Sequence, residues 1–210
     1  MEPLREIPGP AGPLEARLDL PDRVPRAVAV IAHPHTQYGG TLQTRAVYEA
    51  ARALTRIGVA ALRFNFRGAG ISKGTFDEGR GEQDDYRAAL QYAAARFPEL
   101  PIWAAGMSFG AWVATTVGAT DPRVALLLAI APAVSHYEYD ALRATTKPAF
   151  VIHGEEDTLA PVRQVRRLYA EMLEPKELVV IEGADHVFDG RTSIVGEAIE
   201  DLLGDFVFPR

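Results

Sequence analysis

The 210-residue sequence contains no cysteine. This absence excludes disulfide bonds, thiolate metal ligands and a cysteine nucleophile, and it fits a reducing compartment. Positive charge is also scarce, because 22 lysines and arginines stand against 28 aspartates and glutamates, which gives a formal net charge of -6. We therefore expect no nucleic-acid partner and no attraction to an anionic membrane surface.

Long hydrophobic runs are absent as well. The longest, Val124–Ala131, is far too short to cross a bilayer. The N-terminal residues, MEPLREIPGPAGP, contain four prolines and no continuous apolar stretch of the kind that a secretory signal needs. These features predict a cytoplasmic protein that does not associate with membranes, and the length suits a single domain over residues 1–210.

Apolar runs of strand length recur along the chain and alternate with segments of helical spacing. The runs are hydrophobic almost without interruption, which is typical of strands covered on both faces of a parallel sheet. They lie at Arg26–Ala32, Val59–Phe66, Pro101–Ala105, Val124–Ala131, Ala149–His153 and Glu177–Ile181. Between and after them, apolar residues three or four positions apart predict helices over residues 42–54, 86–97, 162–172 and 195–206.

The N-terminal region has a different pattern. Two short segments, Leu4–Ile7 and Leu14–Leu20, flank a turn-forming Gly-Pro-Ala-Gly sequence. They predict an antiparallel hairpin at one edge of the sheet, where proline is tolerated. The expected fold class is therefore α/β, a doubly wound and mostly parallel sheet with an N-terminal antiparallel hairpin.

Ser108 stands between two glycines in the sequence GMSFG, at a predicted strand-to-helix junction. This is the pattern of a nucleophile elbow, in which a serine occupies a strained, tight turn. A Cβ two residues before or after the serine would crowd the neighbouring backbone, so both flanking positions need glycine. The alternative is a glycine-rich turn with an incidental serine. The strand and helix on either side favour the elbow.

A serine hydroxyl is a weak nucleophile unless a base removes its proton and an acid orients that base. Two later loops supply candidates, because each follows a predicted strand at the edge of the sheet where α/β proteins place their sites. His186 follows the last strand, and Asp157 follows the strand before it. Further carboxylates stand beside them and are alternatives for the acid: Glu155, Glu156 and Asp185.

The segments GMSFG, HGEEDTLAP and GADHVF, in this order, resemble the α/β-hydrolase superfamily. The resemblance implies that Ser108 is the nucleophile, His186 the general base and then acid, and Asp157 the orienting carboxylate. The interval 132–148 is too short for a cap domain. The chain is most similar to compact lidless serine hydrolases related to the dienelactone hydrolases. Those enzymes use a cysteine nucleophile, so their lactone chemistry is not carried over.

Two histidines, His33 and His35, form an H-x-H at the end of the first strong strand. Such a pair can begin a metal site, but a metal site needs further ligands in order, so no metal or other cofactor is expected. In a hydrolase, the loop after this strand lends one N–H to the oxyanion hole, and Phe109 lends the other. Because Pro34 has no N–H, the first donor is predicted to be His35 or Thr36.

The remaining motifs receive no chemical role. The glycine-rich segment at 67–74 fails the Walker pattern and resembles the R-G-x-G-x-S loop that shapes the site of many α/β-hydrolases. The acidic residues between 77 and 85 are expected to favour a helix start through the helix dipole. His153 is expected to be structural, and His136 to lie on the surface or line a pocket.

These observations predict a serine hydrolase that acts on a small-molecule ester or thioester with a small to medium acyl group. Ser108 would attack the carbonyl, and water would release the acyl-enzyme. The same three residues could instead transfer the acyl group to an alcohol, amine or peptide, or cleave an amide. From a different class, the fold could be a non-catalytic binding module, which the intact set of serine, acid and histidine argues against.

Overall fold

The computed structural model describes residues 4–206, in which one eight-stranded sheet forms the centre of the fold. Its strands are β1 (Glu6–Ile7), β2 (Leu14–Asp19), β3 (Ala27–Ala32), β4 (Val59–Phe64), β5 (Ile102–Met107), β6 (Val124–Ile130), β7 (Ala149–Gly154) and β8 (Lys176–Ile181). Their order across the sheet is β1-β2-β4-β3-β5-β6-β7-β8. The pairs β1–β2 and β2–β4 are antiparallel, whereas all the others are parallel. The predicted fold class is confirmed.

Helices cover both faces of the sheet. They are α1 (Arg45–Arg56), α2 (Arg80–Arg96), α3 (Phe109–Thr120), α4 (Asp140–Ala144), α5 (Val162–Glu171) and α6 (Thr192–Leu203). Successive strand residues point to opposite faces, so each central strand supplies two separate cores. Along β3, Val28 and Val30 pack in the core with α2, α3 and α5, whereas Ala29 and Ile31 pack in the core with α1 and α6.

The ends of several elements differ from the sequence predictions. Strand β4 ends at Phe64, two residues before the predicted end, and the side chain of Asn65 bonds to the amide of Leu42 and to Glu15 of β2. Strand β5 continues to Met107, so the first glycine of the GMSFG motif lies within the strand. A 3-10 turn at Thr36–Tyr38 and helix α4 were not predicted. Both are too short to produce a recognisable apolar period.

The glycine-rich segment at 67–74 is anchored to the N-terminal hairpin. Asn65 Nδ2 donates to Glu15 Oε2 at 2.7 Å, and Ser72 Oγ donates to the carbonyl of Asn65 at 2.7 Å. The amide of Glu15 in turn donates to Ser72 Oγ at 2.8 Å. These bonds hold the loop after β4 beside the start of β2.

Within residues 4–206, no helix has the length and apolar character needed to cross a membrane.

Candidate active site

Ser108 occupies a strained turn between β5 and α3. Its backbone angles are φ 56° and ψ -117°, a combination that costs a non-glycine residue about 1–3 kcal/mol. A Cβ on Gly106 would lie 2.2 Å from the carbonyl oxygen of Gly110, and a Cβ on Gly110 would lie 2.4 Å from that of His33. Both glycines are therefore required by close backbone packing, as the spacing of the motif predicts.

Three side chains that are distant in sequence form one hydrogen-bonded chain. His186 Nε2 lies 2.8 Å from Ser108 Oγ, and His186 Nδ1 lies 2.6 Å from Asp157 Oδ2. An ionised carboxylate can only accept, so Nδ1 carries the imidazole hydrogen. The other nitrogen, Nε2, is then free to accept the hydroxyl hydrogen of Ser108. We call these three residues the Ser–His–Asp chain.

Asp157 is buried but well supplied with donors. Its Oδ1 accepts the amides of Leu159 at 2.9 Å and Ala160 at 2.8 Å, while Oδ2 accepts from His186. Burial raises the pKa of this carboxyl, but the hydrogen bonds from His186 and Ala160 outweigh it and hold the pKa below its usual value. Asp157 is therefore ionised near neutral pH and keeps the imidazole of His186 in one tautomer.

The loops that carry the acid and the histidine are packed directly on each other. Strands β7 and β8 pair in parallel up to Gly154, where a Cβ would lie 2.4 Å from the carbonyl oxygen of Ala184. Beyond the strands, the amide of Glu156 donates to the same carbonyl at 2.8 Å. This contact fixes the separation of Asp157 and His186.

Two of the three alternative acids, Glu155 and Asp185, have other partners. Glu155 Oε2 accepts the amide of Gly183 at 3.1 Å. Asp185 Oδ1 accepts the amides of Val187 and Asp189 at 3.1 and 2.9 Å, which closes the turn after the histidine. Within residues 4–206, the carboxylate bonded to His186 is that of Asp157.

His153 is a second histidine beside the acid, and no local pattern in the sequence connects it with the site. It is fully buried at the end of β7, and its Nε2 donates to the carbonyl of Ala160 at 2.7 Å. The same nitrogen lies 3.4 Å from Asp157 Oδ2. Its Nδ1 has no hydrogen-bond partner in the described residues. Burial lowers the pKa of His153, which favours the neutral form.

The loop after β3, which the sequence assigns to the oxyanion hole, is held by another buried histidine. His33 Nδ1 donates to the carbonyl of Pro34 at 2.5 Å, and its Nε2 accepts the amide of Phe66 at 3.0 Å. Burial lowers the pKa of His33 to about 4. In the part of the chain that the structure describes, the amides of Phe109, His35 and Thr36 donate to no protein acceptor.

A cavity of about 230 Å³ opens directly onto Ser108. A larger cleft of about 470 Å³ lies between α4 and α5 and is lined by Arg143, Arg163 and Arg167, but it contains none of the Ser–His–Asp chain. Among residues 4–206, no cluster of three or more histidine, aspartate and glutamate side chains has an arrangement that could hold a metal ion. The smaller cavity is therefore the candidate substrate site.

Comparison with known proteins identifies the family. Residues 23–145 match the family described as serine aminopeptidase, S33. The match covers more than half of the chain and includes Ser108 with its two glycines. The chain belongs to this family. Asp157 and His186 lie beyond the matched segment. Their place beside Ser108 therefore rests on the hydrogen bonds in the structure and not on the family match.

Three relatives of this S33 family member are similar to it over nearly its whole length. An α/β serine hydrolase homologue from Coxiella burnetii is 36% identical, with a TM-score of 0.89 over 94% of this chain and 95% of its own. An α/β serine hydrolase without a lid from Xanthomonas campestris is 32% identical, with a TM-score of 0.86 over 93% and 90%. An uncharacterised protein of Rickettsia prowazekii is 33% identical over 93% of this chain and 86% of its own. The chain is an α/β serine hydrolase of the lidless type.

Proposed function

We propose that the protein hydrolyses carboxylic esters or thioesters of small to medium acyl groups through an acyl-enzyme on Ser108. The single observation that carries this proposal is the unbroken chain of hydrogen bonds, 2.8 Å from Ser108 Oγ to His186 and 2.6 Å from His186 to Asp157. This arrangement gives a serine the base and the orienting acid that it needs to act as a nucleophile.

In the proposed reaction, Ser108 Oγ forms a bond to the substrate carbonyl carbon while its proton passes to His186 Nε2. The amide of Phe109 and one amide of the loop after β3, that of His35 or Thr36, stabilise the negative oxygen. The protonated His186 then gives its proton to the leaving alcohol or thiol as the ester bond breaks. Water repeats the sequence on the acyl-enzyme and regenerates Ser108. Asp157 stays ionised throughout and stabilises the imidazolium.

A second candidate is cleavage of an amide, which is favoured by the match to a family described as serine aminopeptidases. The chemistry would differ only in the leaving group, an amine that needs the proton from His186 before it can depart. Aminoacyl anilides compared with esters of the same acyl groups would separate the two activities. Product analysis with added alcohol would separate hydrolysis from acyl transfer.

A fluorophosphonate probe tests the proposal on the whole chain. We expect labelling and ester turnover in the natural protein, and loss of both in Ser108→Ala, with turnover down by about four to six orders of magnitude. The matched control is Ser193→Ala, an exposed serine on α6, which should label normally. Folded protein that neither labels nor turns over any ester would contradict the proposal and favour a binding module.

A further inference from the structure

The cavity at Ser108 is lined mainly by aromatic or imidazole rings. We call this lining the aromatic pocket. It consists of Ser108 and Ala133 together with His35, Tyr38, Phe109, His136, Tyr137 and Leu159. No lysine, arginine, aspartate or glutamate lines it among the described residues. The pocket therefore favours an uncharged, apolar group next to the reacting carbonyl.

The pocket wall is fixed by ring-to-ring packing behind it. The ring of Tyr137 stacks on Trp112 at 4.8 Å between centroids and 19° between planes. Phe109 packs against both rings, at 5.8 Å from Trp112 and 5.6 Å from Tyr137. A Cβ on Gly79 would lie 2.4 Å from Trp112, so the backbone just before α2 also packs against this stack. Flat surfaces held in this way are preorganised for a flat partner.

A second part of the pocket wall is also built from rings. His35 lies 5.1 Å from Phe109 and 4.8 Å from Tyr38, and Phe76 packs behind it at 4.5 Å. The amide of Gln37 donates to His35 Nδ1, which leaves its Nε2 as the hydrogen-bearing nitrogen when the ring is neutral. Burial lowers the pKa of His35 and supports this neutral form. The second wall is therefore uncharged as well.

The volume limits what can enter. A protein cavity of about 150 Å³ holds one benzene molecule. At about 230 Å³, the aromatic pocket has room for one ring and a few further atoms, and a long acyl chain would extend beyond it. Leu159 and Tyr38 line it and are 42% and 87% exposed, so a ring can enter without displacing buried side chains.

We propose that the aromatic pocket selects esters that carry a single aromatic ring within a few bonds of the scissile carbonyl. This inference rests on the proposed function, which it narrows to aryl-substituted substrates. Ring contacts on both walls favour a flat ring over a saturated ring of the same connectivity, because edge-to-face and stacked contacts add to the burial of apolar area.

Matched pairs of esters test the inference with the whole protein. On the acyl side, ethyl phenylacetate is compared with ethyl cyclohexylacetate, and on the alcohol side, benzyl acetate with cyclohexylmethyl acetate. After correction for alkaline hydrolysis rates, we expect the aryl ester to have about three- to tenfold higher kcat/KM on at least one side. The side that shows the preference identifies which part of the ester occupies the pocket. A ratio of one or less on both sides overturns the inference.

A variant pair locates the preference on the wall. Tyr137→Leu removes a flat ring but keeps apolar volume, and should bring the aryl-to-cyclohexyl ratio close to one. Tyr92→Leu is the matched control, since Tyr92 is also half-buried but borders the cleft beside the N-terminal hairpin. If Tyr137→Leu does not fold, the exposed Tyr38→Ala takes its place.

If Tyr137→Leu and Tyr92→Leu both keep the aryl-to-cyclohexyl ratio of the natural protein, the result contradicts selection by the pocket. The proposed function fails differently, with no probe labelling at Ser108 and no turnover of any ester, aryl or saturated. Turnover of cyclohexyl and aryl esters at equal rates overturns the substrate inference alone.

Discussion

Burial divides the histidines of this protein into different chemical types. His33 and His153 are fully buried and are kept neutral, whereas His186 is partly exposed and is paired with an ionised carboxylate. The buried imidazoles form fixed hydrogen bonds, whereas His186 is the one that transfers a proton in the proposed reaction. Each buried histidine therefore has a measurable consequence of its own.

His33 makes stability depend on pH. Its pKa falls from 6.5 to about 4 on folding, so the unfolded chain binds a proton in this interval that the folded chain does not. Its contribution is fully present above pH 6.5 and is lost as the pH falls toward 4, by about 3 kcal/mol in all. Urea unfolding at several pH values should show a shallower pH dependence in His33→Gln than in the natural protein.

The control for this experiment is His136→Gln, because His136 is exposed whereas His33 is buried. It should retain the natural pH dependence of the unfolding free energy. A natural slope in His33→Gln would show that His33 does not carry this dependence.

His153 is expected to position Asp157, since it bonds the carbonyl of Ala160, whose amide in turn bonds the carboxylate. His153→Leu keeps volume but removes the donor, and should lower kcat about tenfold with little change in KM. His153→Gln should recover part of the rate because its amide can donate from a similar place. Steady-state kinetics at 25 °C on folded variants checks this, and equal losses in both variants would point to packing alone.

The acidic residues around the start of α2 show what the sequence cannot supply at this scale. Glu82 lies in the first turn of α2, as the helix-dipole prediction requires, and it is also buried and accepts the amides of Asp77 and Gly79. Asp85 is buried too, in an ion pair with Arg67. Such partners are brought together by tertiary packing, so local spacing cannot reveal them.

At the scale of elements, the strand-turn-helix unit β5–Ser108–α3 is the part of the site that local sequence predicts best. Close contacts inside the unit and with the end of β3 require its glycines. Because both glycines belong to the GMSFG motif, the sequence alone shows this requirement. The approach of His186 to Ser108 follows from two parallel strands ending at the same edge, which the sequence also predicts. Helix α4, with a single buried residue, Leu142, left no signal.

Gly110 provides a test of this unit. A Cβ there would meet the carbonyl oxygens of His33 and Ala32 at 2.4 and 2.6 Å, and backbone cannot yield as a side chain can. We expect Gly110→Ala to lower the unfolding free energy by about 3 kcal/mol or more and to abolish activity. The unfolding free energy from urea titration, together with esterase assays, measures both effects.

Gly190→Ala is the matched control, because a Cβ at Gly190 would meet nothing within 4 Å although φ is 66°. It should cost only about 1 kcal/mol, from backbone strain. Similar losses in the two variants would show that close packing is not what demands glycine at Gly110.

At the scale of the whole molecule, the segment between β6 and β7 holds only α4 and places no domain over the cavity. Substrate should therefore reach Ser108 without a lid having to open. For a sparingly soluble short-chain ester, we expect hyperbolic kinetics up to the solubility limit and no further increase in rate above it. A jump in rate when ester droplets form would contradict this expectation.

Ser108 and His186 follow strands that are buried to different extents. Strand β5 is buried between β3 and β6, but β8, from which His186 follows, is the last strand and is largely half-exposed. An outermost strand with modest burial opens more readily than the strands inside it. The position of His186 beside Ser108 therefore depends on the outermost strand of the sheet, β8. Turnover should disappear under mild denaturation while most of the secondary structure is still intact.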